Sequence, residues 1–178
     1  MQKQVRKFLP ELVYGANDGI ITTFAIVASA IGAHLSIEVV LILGFASLLA
    51  DGFSMATSSY LSERTSSSRK GQADHASAVR YATATFVGFV VPGAIPLLTF
   101  LLPLPSAYQF PAAAVLTLLA LFVVGASRAV ASELRWYRGG LEMLAIGALA
   151  ATVAYAIGVL GSALIAGNAL PAGLTAGG

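Results

Sequence analysis

The distribution of basic residues along the chain restricts its fold more than any other feature. Five apolar runs have about the 18–25 residues that a membrane-crossing helix needs, and they cover 12–33, 37–61, 80–102, 111–131 and 142–166. All ten lysines and arginines lie before span one, between or beside spans two and three, or at and after the end of span four: Lys3, Arg6, Lys7, Arg64, Arg69, Lys70, Arg80, Arg128, Arg135 and Arg138. The connections 34–36 and 103–110 and the segment after 166 have none. The positive-inside rule therefore predicts a cytoplasmic N-terminus and a C-terminus outside.

The composition agrees with a chain that lies in lipid. Hydrophobic residues make up 57% and charged residues 10%, whereas a soluble domain has about 25% charged residues. We therefore expect an all-α integral membrane protein, with residues 1–178 forming a single five-helix domain and no separate soluble domain. The net charge of +2 comes from the predicted cytoplasmic flanks, so no basic surface for nucleic acid is expected. The absence of cysteine excludes disulfides, thiolate metal sites and cysteine nucleophiles.

Local signals predict the helix ends. Pro10 fits the first turn of helix one, Glu38 fits the first turn of helix two, and Glu142 fits a cap at the start of span five. The polar, serine-rich segment 62–79 is expected to be a short cytoplasmic linker. The aromatic residues near the span ends are typical of interfacial anchors, and they are Tyr14, Tyr60, Tyr81, Trp136 and Tyr137 on the cytoplasmic side and Tyr108 on the outer side.

Span three contains helix-breaking residues at Pro92, Gly93 and Pro96. Proline removes a backbone hydrogen bond and kinks a helix. Broken helices line substrate sites in several transporters, but membrane helices also tolerate proline and glycine without such a role. Both interpretations stay open from the sequence.

Acidic residues inside the spans are the strongest functional signal. A charge near the centre of a membrane helix costs at least about 2.5–3.5 kcal/mol, so it persists where it faces a cavity, a partner or an ion. Asp51 lies near the middle of span two, and its helical neighbours form a polar stripe of Ser47, Ser54, Met55 and Ser58. Span one has a matching face with Glu11, Asp18 and Thr22.

The rise of about 1.5 Å per residue gives an estimate of depth. If Glu11 and Ser62 both mark the cytoplasmic interface, Asp18 and Met55 lie about 10 Å inside it, and Asp51 lies one turn further. Together, Glu11, Asp18, Asp51 and Met55 are candidate ligands along a path for a cation.

The donor types indicate which cation. Mg²⁺ and Ca²⁺ take oxygen ligands, and Cu⁺ prefers several sulfur or histidine ligands, whereas the two histidines, His34 and His75, fall in predicted loops. A mixed set of carboxylates and one thioether favours a borderline divalent ion, Fe²⁺ first, with Mn²⁺, Co²⁺ or Zn²⁺ as alternatives.

Other interpretations remain for the same residues. Met55 is also typical of a gap-filling core residue, and Asp18 could cap a helix that starts at Gly19. The polar stripes also suit a small membrane scaffold, in which they join helices. Neither H-E-x-x-H nor Gly-x-Ser-x-Gly occurs, so an enzyme is not expected.

Three segments resemble the vacuolar iron transporter family, including its bacterial and nodulin-like members. The first two are 11–25 (ELVYGANDGIITTFA) and 49–57 (LADGFSMAT), the latter followed by Tyr60-Leu61-Ser62. The third is 140–147 (GLEMLAIG), followed by 154–158 (AYAIG), which is similar to the family's last helix.

The resemblance implies a function as well as a fold. It implies a dimer of five-helix protomers that moves Fe²⁺, often also Mn²⁺, out of the cytosol in exchange for protons. The path would lie at the dimer interface, lined by helices one and two. Asp18 matches the family's pathway aspartate, Met55 its pathway methionine, and Glu11 the acid at the helix-one entrance. The metal is cargo, and no resident cofactor is expected; the short loops favour a bacterial cytoplasmic membrane.

Two departures from the family pattern affect these expectations. Members with a cytosolic metal-collecting domain insert glutamate-rich helices between spans two and three, but segment 62–79 holds only Glu63, Asp74 and His75. Some members also have glutamate at the position of Ser47. Asp51, one turn from Ser47, is expected to supply that charge here.

Overall fold

The computed structural model describes residues 2–69, 75–128 and 135–168, and every regular element in them is a helix. The helices are α1 Gln2–Gly32, α2 Ile37–Arg69, α3 His75–Gly93, α4 Ile95–Leu101, α5 Ser106–Ser127 and α6 Trp136–Asn168. By length and composition, α1, α2, α5 and α6 can each cross a membrane. The pair α3 and α4, bent by 42° at the break, is long and apolar enough to be a fifth span if it crosses as one unit. The all-α membrane fold is therefore confirmed, while the side on which each terminus lies remains a prediction.

Several helices extend beyond the predicted spans. Hydropathy marks only the part of a helix that suits lipid, whereas the backbone hydrogen bonds continue through polar residues into water. Because α1 begins at Gln2, Pro10 lies inside this helix, and the prediction that it occupies the first turn is wrong. Because α6 begins at Trp136, Glu142 lies in its second turn and is no cap; its Oε2 is 3.9 Å from Nη1 of Arg128. The prediction that Glu38 lies in the first turn of α2 is confirmed.

The linker 62–79 is mostly helical where the structure describes it. The last turns of α2 reach Arg69, and α3 starts at His75. Lys70 and Asp74 of this linker lie outside the described residues, and so does the segment after α6 that was predicted to lie outside the cell.

The helix α1 is the centre of the bundle. It contacts each of the five other helices, and 44% of its most apolar window is buried, against 22% or less in α2, α5 and α6. Glycine permits the closest contact, because a Cβ atom at Gly19 would overlap the backbone of Phe89 in α3. On another side, Gly158 of α6 packs against the backbone carbonyl of Ser29. The neighbours of α1 therefore leave little of its surface uncovered.

The break between α3 and α4 belongs to the packed core. Pro92 lies inside α3, and Pro96 lies in the first turn of α4, where its missing N–H costs little. The next residue, Leu97, is fully buried and packs against Gly44 of α2. The predicted kink is confirmed, and the burial of Leu97 favours a packing role for this break over a substrate-lining role.

The helix ends that carry basic residues meet at one end of the bundle. The rings of Phe8 in α1 and Tyr81 in α3 are 4.9 Å apart between centroids. Tyr60, near the end of α2, hydrogen-bonds His75 at the start of α3. The end of α5 packs on the start of α6, where the backbones come close enough to exclude a Cβ atom at Gly125. This end is hereafter called the basic end.

Candidate functional site

From Phe8 onward, the exposed residues of α1 form a single narrow strip. Between Phe8 and Gly32, the exposed residues are Pro10, Tyr14 and Asp18, which are spaced four apart and so share one face of the helix. Asp18 accepts a hydrogen bond from the hydroxyl of Thr22 at 3.4 Å. Because α1 is continuous through Asp18 and Gly19, the alternative in which Asp18 caps a helix starting at Gly19 is wrong.

Asp18 and Asp51 lie at the same level of the bundle. Each aspartate directly precedes a glycine that packs against Phe89 of α3. A Cβ atom at Gly19 would meet the Phe89 backbone, and one at Gly52 would lie 3.3 Å from its ring. Since α1 and α2 both contact this one residue, the two carboxylates are separated by little depth.

The depth estimate from the sequence was therefore wrong by about one helical turn. It paired Asp18 with Met55 and put Asp51 a turn further in, because it took Glu11 and Ser62 as equivalent ends. In the structure α1 begins before Glu11 and α2 continues past Ser62 to Arg69, so neither residue marks the end of its helix.

The surroundings of Asp51 are polar on its own helix. Asp51 is half-buried, and its Oδ2 accepts a hydrogen bond from Ser47 at 3.0 Å. Ser54 and Ser58 are exposed, as the predicted polar stripe requires. Ser59 instead faces α3, where its hydroxyl accepts a hydrogen bond from Thr85 at 3.1 Å.

Met55 lies against apolar neighbours. It is half-buried and packs on the core cluster that contains Leu48 and Phe89. Within one protomer this arrangement agrees with the gap-filling interpretation. The role of Met55 as a metal ligand therefore remains a prediction.

Glu11 and Asn17 have buried oxygens without partners. No described residue hydrogen-bonds Oε2 of Glu11 or Oδ1 of Asn17, and both atoms are shielded from solvent. A buried acceptor without a donor costs about 1–3 kcal/mol, and more when it is charged, so these atoms are suited to water or a cation. Asn17 was missed in the sequence analysis; the available signal was a polar residue within span one beside Asp18.

The described residues of one protomer do not assemble a closed metal site. Within the described ranges, no group of three or more histidine, aspartate or glutamate side chains is close enough to hold a metal ion. The structure thus brings Asp18 and Asp51 to one level but does not gather Glu11 with them into one cluster. His34 and Glu38, at the other end of the bundle, are likewise not part of such a group.

Glu63, another acid near the basic end, joins two helices. Oε1 of Glu63 accepts hydrogen bonds from Ser67 and Ser77, each at 3.3 Å. Since Ser77 belongs to α3, Glu63 links α2 to α3. The expectation that the short linker is not a metal-collecting domain stays a prediction.

Comparisons with known proteins relate the chain to a single family. A model of the VIT family matches residues 9–71 and 67–159. Over 55 residues, the chain is 47% identical to a protein of Toxoplasma gondii named vacuolar iron transporter. Over 54 residues, it is 43% identical to a protein of Plasmodium berghei with the same name.

These two alignments are short relative to the proteins concerned. They cover 31% and 30% of this chain and 18% and 20% of the relatives. The chain therefore aligns with about a fifth of the length of each relative, while the family match runs through most of the chain.

Proposed function

The chain belongs to the VIT family, and from that premise we propose that it carries a divalent transition-metal ion across a membrane. The observation that carries the proposal is the exposed carboxylate of Asp18. It lies ten residues beyond Phe8, where the candidate span begins, which is about 15 Å into the span at the helical rise. A charge at that depth requires a partner, water or an ion.

The proposed cargo is Fe²⁺, with Mn²⁺ as the second candidate, and the direction is out of the cytosol. Relatives in two organisms are named vacuolar iron transporters, which supports iron. The oxygen donors of Asp18, Asp51 and Glu11 suit either metal, and the thioether of Met55 would favour Fe²⁺ over harder ions. A bacterial cytoplasmic membrane remains our proposed location.

We propose further that the path lies between two copies of the chain. One protomer offers no closed metal site among its described residues, and Asp18 is exposed in the protomer. A twofold axis along the membrane normal would bring the same face of each copy together. Because Asp18 and Asp51 are level, the dimer would then present four carboxylates at one depth, which supports α1 and α2 as the lining helices.

Proton exchange follows from the chemistry of such a site. Metal ions and protons compete for the same carboxylate oxygens, so an arriving cation displaces protons and a departing cation lets them return. The proposed exchange therefore requires no separate proton relay.

Metal uptake into proteoliposomes tests the proposal. We expect proteoliposomes that contain the purified chain to take up Fe²⁺ and Mn²⁺ faster than protein-free vesicles do. Asp18→Asn, which keeps the shape and removes the charge, is expected to reduce uptake to the protein-free rate. Glu142→Gln is the matched control, because Glu142 is exposed and pairs with Arg128 away from Asp18. A chain that forms dimers but moves no metal would contradict the proposal and favour the scaffold.

A further inference from the structure

Tyr14 shares the exposed strip of α1 with Asp18. Its side chain is 71% exposed, although 44% of the most apolar window of α1 is buried. Asp18 follows it by one turn, and Glu11 precedes it by three residues, so Tyr14 lies between the two acids along one face. Whatever covers Asp18 in the membrane also contacts Tyr14.

Tyr14 lies within the candidate span of α1, six residues beyond Phe8, where that span begins by length and composition. It is one turn before Asp18, between the basic end and that carboxylate. Side chains on a helix lean towards its N-terminus. The hydroxyl of Tyr14 therefore lies on the route from the basic end to Asp18.

The hydroxyl of Tyr14 also has no hydrogen-bond partner among the residues that the structure describes. A hydroxyl left unpaired in an apolar medium costs free energy. If position 14 faced only lipid, phenylalanine or leucine would suit it equally well. The position is instead suited to a polar contact that forms in the assembled protein.

The acids on either side are too far apart to pass an ion directly. Glu11 and Asp18 are seven residues apart, which is about 10 Å along the helix. Bonds from transition-metal ions to oxygen ligands are only about 2.0–2.2 Å long. An ion moving between these carboxylates needs an oxygen donor at an intermediate level.

We propose that the Tyr14 hydroxyl is that donor, binding the hydrated cation between Glu11 and Asp18. The inference rests on the proposed function and adds a residue to the same path. A hydroxyl oxygen binds a cation less tightly than a carboxylate does, so it can pass the ion on. Tyr14 is then a binding residue for the cargo rather than a lipid anchor.

Uptake kinetics with Mn²⁺ provide the first test. Tyr14→Phe keeps the ring and removes the oxygen, and we expect it to raise the KM for Mn²⁺ by about tenfold while lowering the maximal rate much less. Tyr108→Phe is the matched control, because Tyr108 is 66% exposed near the other end of the bundle; its KM should equal that of the unmodified chain. A KM for Tyr14→Phe equal to the control would overturn the inference.

Thiol accessibility provides the second test, and the chain has no native cysteine to interfere. We expect Tyr14→Cys to react with a charged, membrane-impermeant thiol reagent and Mn²⁺ to slow that reaction. Val123→Cys, on a 65% exposed apolar position of α5, should not react. Equal reactivity at the two positions would overturn the inference.

The two proposals fail in distinguishable ways. If the unmodified chain moves no metal, the proposed function fails. A second pattern is that the unmodified chain moves metal, Asp18→Asn abolishes this transport and Tyr14→Phe leaves it unchanged. In that case the proposed function is retained, and Tyr14 is not a ligand in the path.

Discussion

At the scale of single residues, the carboxylates and the thioether have different tasks in the proposed path. In the proposal, the carboxylates of Asp18 and Asp51 exchange a metal ion for protons. The thioether of Met55 does not bind protons, so it can only alter which metal is preferred. The sequence identified Asp18 because an acid within an apolar span is costly. The sequence did not distinguish Tyr14 from the aromatic anchors. Helical periodicity shows which residues share a face of a helix, but it does not show which face the other helices leave exposed.

The first prediction concerns Met55. Met55→Leu nearly conserves volume, so it should cost less than about 1.5 kcal/mol of stability and keep the packing on Leu48 and Phe89. We expect Fe²⁺ uptake to fall more than Mn²⁺ uptake, because only the softer ion gains from sulfur. The measurement is uptake of both metals by the same vesicles. If both rates are unchanged, Met55 is a packing residue only.

At the scale of helices, close contact between α1 and α3 sets the geometry of the site. The glycines at 19 and 52 let α1 and α2 approach Phe89, and this contact fixes the levels of the adjacent aspartates. The sequence predicted the kink at Pro92 and Pro96 from proline chemistry, and it is confirmed. It missed the start of α1, the end of α2 and the start of α6, because hydropathy does not mark helix that continues into water. It also did not predict the levels of Asp18 and Asp51, because these depend on how the helices pack.

The second prediction tests this contact. In a helix interior, Gly→Ala alone stabilises by about 1 kcal/mol, but at Gly19 the new methyl group would overlap the Phe89 backbone. We therefore expect Gly19→Ala to lower the thermal midpoint in detergent and to reduce metal uptake. Gly161→Ala is the control, since nothing lies within 4 Å of its Cβ position. A midpoint for Gly19→Ala at or above that of Gly161→Ala would contradict the account.

At the scale of the whole molecule, the charge distribution predicts the orientation, and the exposed strip of α1 supports the proposed assembly. The number of spans could be predicted because apolar length and basic flanks are local properties of the sequence. The central position of α1 could not be predicted, because any spatial arrangement of five apolar helices is compatible with the same hydropathy. The strip of α1 became visible only when its neighbours were in place.

The third prediction concerns orientation. Ser68, near the end of α2, lies at the basic end, and Ser106 starts α5 at the opposite end. In intact cells we expect Ser106→Cys to react with a membrane-impermeant thiol reagent and Ser68→Cys to react only after the membrane is opened. Labelling of both in intact cells would contradict the five-span topology, and the reverse pattern would invert the orientation.

The fourth prediction concerns the dimer. Because the strip of α1 is expected to face its copy, Tyr14→Cys should form a cross-linked dimer with a short bifunctional thiol reagent in native membranes. Val123→Cys, on an exposed face of α5, should remain monomeric on a denaturing gel. Cross-linking at Val123 and not at Tyr14 would assign the interface to another face of the bundle.

The central claim is that metal and protons exchange at Asp18, and one recording in proteoliposomes tests it most directly. Metal entry and lumenal pH are followed together in vesicles whose cytoplasmic side faces outward, with the lumen initially acidic. The account predicts that metal entry is accompanied by loss of lumenal protons, that the acidic lumen accelerates entry, and that Asp18→Asn abolishes both flows. Metal entry that persists in Asp18→Asn, or that proceeds with no change in lumenal pH, would contradict it.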